Sequence, residues 1–90
     1  MSASQRKKNG KIMTILIRDG NCCIYCDTKF ETREDITIEH VYPRKLGGTN
    51  GVYNLALSCK ECNEKKGNML LTQFLRAYEI PVTKKIARFL

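Results

Sequence analysis

Two Cys-x-x-Cys pairs, Cys23-Ile-Tyr-Cys26 and Cys59-Lys-Glu-Cys62, constrain this chain more than any other feature of its sequence. Each pair closes a tight knuckle, and together they offer four thiolates, the set that a structural zinc ion binds tetrahedrally. Four thiolates leave no position open to water, so this metal supplies folding free energy rather than chemistry. A chain of 90 residues has use for it, because domains of this size bury a thin core and fold marginally unaided. The fifth cysteine, Cys22, could compete through Cys22-x3-Cys26, but the x2 spacing closes the tighter loop. Cys23 is therefore preferred, and Cys22 is left as a plain small residue.

Paired cysteines also occur as disulfides in secreted mini-domains. Here the chain opens M-S-A-S-Q-R-K-K-N-G-K before a short apolar run, without an uninterrupted apolar signal segment. The expectation is an intracellular, cytoplasmic setting, where such pairs hold zinc. No stretch approaches the ~20 apolar residues of a membrane span, so no membrane partner is expected.

Charge is informative through its distribution. Residues 1–18 carry Arg6, Lys7, Lys8, Lys11 and Arg18 with no acid, and residues 72–90 carry Arg76, Lys84, Lys85 and Arg88 against Glu79 alone. Basic flanks around a near-neutral centre fit a polyanionic partner touched at the edges of a site.

The chain reads as one α+β domain over residues 1–90, with a core of about 18–68, a polar basic tail at 1–8 and a helical extension at 70–90. Ile12, Ile15 and Leu16 recur at helical spacing between Lys11 and Arg18. Asp19-Gly20-Asn21 stops that helix, and residues 27–35 form a charged loop after the first knuckle. The β-branched run Ile36–Val41 reads as a strand, and Val52–Leu57 as a second, antiparallel strand. Between them Pro43 and Gly47-Gly48-Thr49-Asn50-Gly51 make an irregular loop. The second knuckle leads into a helix over Glu61–Lys66, ended by Gly67. Leu70, Leu71, Phe74, Leu75 and Tyr78 keep helical spacing as core, Pro81 interrupts, and Ile86, Phe89 and Leu90 suggest a last turn.

His40, the only histidine, follows Glu39 on the first strand. Imidazole accepts a proton from water near neutral pH. Glu39 and Asn63 offer hard oxygen ligands to Mg2+ or Mn2+, which would stabilise charge on a phosphodiester. Asn54 could bond to backbone and shape the Pro43–Gly51 loop. Strict alternation along a strand sends Glu39 and His40 to opposite faces, so both line one site only if the strand breaks up there. Arg44, Lys45, Lys65 and Lys66 flank these residues and are the expected phosphate contacts of double-stranded DNA.

From Arg18 to Asn68 the sequence resembles the HNH endonuclease family in its zinc-bound form. The resemblance rests on C-I-Y-C, E-H-V-Y-P-R-K-L-G-G, N-L-A-L-S-C-K-E-C-N and the trailing K-K-G. It implies a ββα-metal (treble-clef-like) core and DNA cleavage to a 3′-hydroxyl and a 5′-phosphate. His40 matches the family's general base, Asn54 its loop-shaping asparagine and Asn63 its third-letter metal ligand. Glu39 matches the acidic position before the base, commonly aspartate. Single-domain members occur in phages beside packaging machinery, so the resemblance also admits a packaging protein or another protein partner. The alternative is a non-catalytic, zinc-stabilised module that binds nucleic acid through its basic ends.

Overall fold

Short strand-forming runs pair when a loop can return the chain, and the β-branched β1 (Thr37–His40) and the leucine-rich β2 (Leu55–Ser58) do so here as a two-stranded antiparallel sheet. Thr37 faces Ser58, Ile38 faces Leu57, Glu39 faces Ala56 and His40 faces Leu55. This is a computed structural model, and it describes residues 3–90, with side chains from residue 9 onward. The second strand starts later than the expected Val52, because Val52–Asn54 coils into a 3-10 turn. Asn54 N–H bonds to Gly51 O at 2.8 Å and closes that turn. A second 3-10 turn, Arg44–Leu46, lies inside the long connection, and a third, Arg33–Asp35, ends the charged loop.

The expected N-terminal helix is α1 (Ala3–Asp19), which begins earlier than Lys11. The expected basic tail of residues 1–8 thus joins α1 from Ala3 onward, while residues 1–2 and the side chains of residues 3–8 lie outside those described. Along α1, Ile12 and Ile15 are buried, Leu16 packs against the core, and Met13 and Ile17 point outward. This face lies on β2, all four residues of which are buried.

After β2 come α2 (Lys60–Lys66), α3 (Leu71–Ala77) and α4 (Lys84–Ala87). Leu71, Phe74, Leu75 and Ile86 complete the apolar core, as their spacing requires. Phe74 meets Tyr25 of the first knuckle edge-on, ring centroids 4.9 Å apart, which joins α3 to the cysteine end of the molecule.

The end of α1 is tied to the C-terminal segment through Asp19, a buried carboxylate. Arg18 grips it with two nitrogens, at 3.0 and 2.7 Å, and Arg88 adds a bond of 2.6 Å. Burial raises the pKa of Asp19, but the hydrogen bonds and charges of Arg18 and Arg88 outweigh it and hold the group below its ordinary 3.8. Arg18 also donates to Val52 O and Leu55 O, at 2.8 and 2.7 Å. Two cations that sequence assigned to the basic flanks are thus structural. No helix among the described residues is long and apolar enough to cross a membrane.

Candidate active site

The first knuckle hydrogen-bonds to β2 through Ile24 N–H and Leu57 O at 3.0 Å, which brings Cys23 and Cys26 against the start of α2. There Cys59 caps the helix, accepting from Cys62 N–H, and the four Sγ atoms lie within 4.8 Å of one another. The Cys26–Cys59 separation is 3.8 Å, the edge of a tetrahedron with metal–sulfur bonds of about 2.3 Å. All the cysteines are free thiols, and Cys22 stands outside the cluster. The donor set and spacing are those of a structural zinc site. Without metal the thiols are unequal. Burial pushes Cys23 up to about 11, whereas for Cys26 burial is outweighed by hydrogen bonding with Thr28, Cys23 and Cys59 together, which brings it down to about 7.

Along β1 the alternation of side chains holds to the end. Glu39 points inward and is 2% exposed, while His40 is half-buried at the strand's last position. Glu39 Oε2 accepts the Tyr25 hydroxyl at 2.5 Å, and Oε1 pairs with Lys66 Nζ at 2.8 Å. Burial and then the charge of Glu39 raise the Tyr25 pKa well above its ordinary 10.0, so the hydroxyl stays protonated and donates.

The structure differs from two expectations here. It engages both Glu39 carboxylate oxygens inside the core, with Tyr25 and Lys66, rather than turning them to a site for a divalent ion. Lys66, expected as a phosphate contact, is enclosed. Its residue is 1% exposed, and besides Glu39 its ammonium donates to Val41 O at 2.9 Å and His40 O at 3.3 Å. That is one partner for each ammonium N–H. Lys66 therefore fastens α2 to the backbone that carries His40.

His40 Nε2 lies 2.8 Å from Asn50 Oδ1, which also accepts from Arg44 NH1 at 2.7 Å. Lys11 of α1 donates to the Asn50 carbonyl at 2.8 Å. Sequence reasoning missed Asn50. It sits in a glycine-rich turn with no chemical signature, and only the returning loop carries it to the imidazole.

Asn54, buried at the end of its 3-10 turn, accepts from Tyr42 N–H at 2.9 Å and donates to Tyr42 O and Thr49 O at 3.1 and 2.9 Å. It cross-links the two ends of the loop around His40. Gly47 adopts φ 104°, and a Cβ on Gly48 would collide with the Tyr42 carbonyl. Both glycines serve the tightness of this loop.

Asn63 is half-buried one helical turn before Lys66, on the same side of α2. Its amide has no hydrogen-bond partner among the described residues. Arg44 and Lys45 are exposed beside the His40 loop. Lys65 is exposed too, with Glu61 at 2.8 Å and the Tyr78 ring centroid at 5.5 Å. Such a pair is weak and leaves Lys65 free to rearrange.

The arrangement includes a thiol-built platform, an oriented imidazole at a strand end, an amide without a partner among the described residues, and several cations. Residues 23–79, well over half of the chain, match a family model described as HNH endonuclease. No curated protein matches the chain.

Proposed function

This chain belongs to the HNH endonuclease family, and we propose that it hydrolyses phosphodiester bonds of double-stranded DNA with His40 as general base. Membership implies a nuclease or nucleic-acid-related role. The more specific reading is carried by one observation: His40 stands half-buried at the end of β1, its ring held by Asn50 and its backbone by Lys66. In this reading the imidazole takes a proton from water as the oxygen attacks phosphorus. The bond to the 3′-oxygen breaks, solvent protonates the leaving oxygen, and the products are a 3′-hydroxyl and a 5′-phosphate.

Asn63 would hold the divalent ion that the family implies, through an amide oxygen that no other described residue engages. With Glu39 turned inward, one protein oxygen remains. That suits Mg2+ or Mn2+, which keep several waters and accept substrate phosphate as ligand. When bound, such an ion stabilises charge developing on the phosphate. Arg44, Lys45 and Lys65 are the proposed phosphate contacts, and Lys66 no longer belongs with them.

Supercoiled plasmid, incubated with and without Mg2+, tests the reading. His40→Ala should lower nicking by ~10²-fold or more, with zinc content and fold unchanged. Near wild-type nicking by that variant would refute the mechanism. The internal engagement of Glu39 favours a second reading, a non-catalytic zinc module that binds nucleic acid. It predicts salt-dependent DNA binding with no Mg2+-dependent nicking.

A further inference from the structure

His40 has two ring nitrogens, and a general base must present the bare one to water. Asn50 Oδ1 lies 2.8 Å from Nε2 and 2.7 Å from Arg44 NH1. A guanidinium only donates, so the amide atom facing Arg44 is the oxygen and not the NH2. An amide oxygen only accepts, so the Nε2 facing the same atom carries the hydrogen. Neutral imidazole has a single N–H, which leaves the lone pair on Nδ1. Among the described residues nothing hydrogen-bonds to Nδ1, so it is open to water.

Asn50 is itself held from several directions. Arg44 fixes its side chain, Lys11 holds its carbonyl at 2.8 Å, and Asn54 holds the preceding carbonyl of Thr49 at 2.9 Å. The Arg44 side is decisive: without it, the amide could rotate and offer its NH2 to the ring, which would favour the opposite tautomer. Lys11 lies on α1, outside the residues 23–79 that match the family, so this chain's own helix contributes to the support.

We propose that Asn50, oriented by Arg44, is a positioning residue that fixes His40 as the Nε2–H tautomer and presents Nδ1 as the proton acceptor. The catalytic consequence rests on the reading of His40 as base, whereas the tautomer does not.

The test uses the zinc-loaded full chain labelled with 15N, in alkaline buffer where imidazole is neutral. His40 is the only histidine, so its ring resonances need no deconvolution. The wild type should show a protonated Nε2 and a bare Nδ1. Asn50→Leu should show both tautomers and lower kcat by ~10-fold or more with KM for DNA little changed, because a ring in the wrong tautomer cannot take the proton. Asn50→Asp keeps an acceptor oxygen toward both partners and should restore the single tautomer and most of kcat. A wild-type ring protonated on Nδ1, or an Asn50→Leu ring that stays purely Nε2–H, would overturn the proposal. Should the wild type show the expected ring, Asn50→Leu mix the tautomers and neither cleave DNA, the positioning role would stand and the nuclease reading would fall.

Discussion

Replacing Lys66 with methionine keeps an unbranched side chain one atom shorter and removes its charge and donors. The ammonium it deletes has three partners, Glu39 Oε1 at 2.8 Å, Val41 O at 2.9 Å and His40 O at 3.3 Å. Side-chain exposure is 0% for Lys66 and 2% for Glu39, so water cannot replace the missing cation. Leaving one charge of a buried pair without its partner costs ~3–5 kcal/mol. At ~0.05–0.15 kcal/mol per residue, a chain of this length has only about 5–13 kcal/mol of stability. The variant should therefore unfold at a Tm lower by roughly 12 °C or more, taking ~4 °C per kcal/mol. Glu39→Gln should also destabilise, and the double variant should recover ~1–3 kcal/mol of the summed losses as coupling energy. Urea unfolding followed by circular dichroism measures all three, at saturating zinc so that metal linkage stays constant. A loss below ~1 kcal/mol for Lys66→Met, with an unchanged slope against urea, would refute the buried pair. Glu39 would then be free to serve as a ligand for a divalent ion.

Elemental analysis should find one zinc per chain, and Cys59→Ser should unfold the domain; folded wild-type protein without zinc would contradict the thiol site. Asn63→Ala should leave fold and zinc in place while raising the Mg2+ concentration needed for nicking, and an unchanged Mg2+ requirement would remove Asn63 from the ion. Asp19 has a folded pKa below its ordinary 3.8, so the unfolded chain binds the proton more readily. Its stabilising contribution is then complete above that ordinary value and disappears as pH falls through the lowered one. In acid titrations of stability Asp19→Asn should flatten this part of the curve, and a curve identical to wild type would show that Arg18 and Arg88 do not stabilise the charge. Neutralising Arg44 and Lys45 should reduce the salt slope of DNA binding by ~0.9 for each phosphate that no longer meets a cation; an unaltered slope would place the phosphate-binding cations elsewhere.

The thiol cluster and the order strand, loop, strand, helix are legible in the sequence because both follow from short-range geometry. A Cys-x-x-Cys pair closes on itself wherever it stands, and the buried face of α1 follows from the period that spaces Ile12 and Ile15. The start of β2 is not legible in the same way, because Asn54 and Gly51 offer the backbone a turn that competes with strand pairing. Alternation does announce that Glu39 and His40 part company. Which of the two turns inward is decided by tertiary structure alone. Glu39 is buried because folding brings Lys66 and Tyr25 to its two oxygens, and a carboxylate enters a core only where such partners meet it. The same holds for His40, which Asn50 reaches only after the loop has closed. Spacing along a chain specifies where ligands and elements stand. Whether a charged side chain ends as catalyst or as internal brace depends on partners that only packing brings within hydrogen-bond distance.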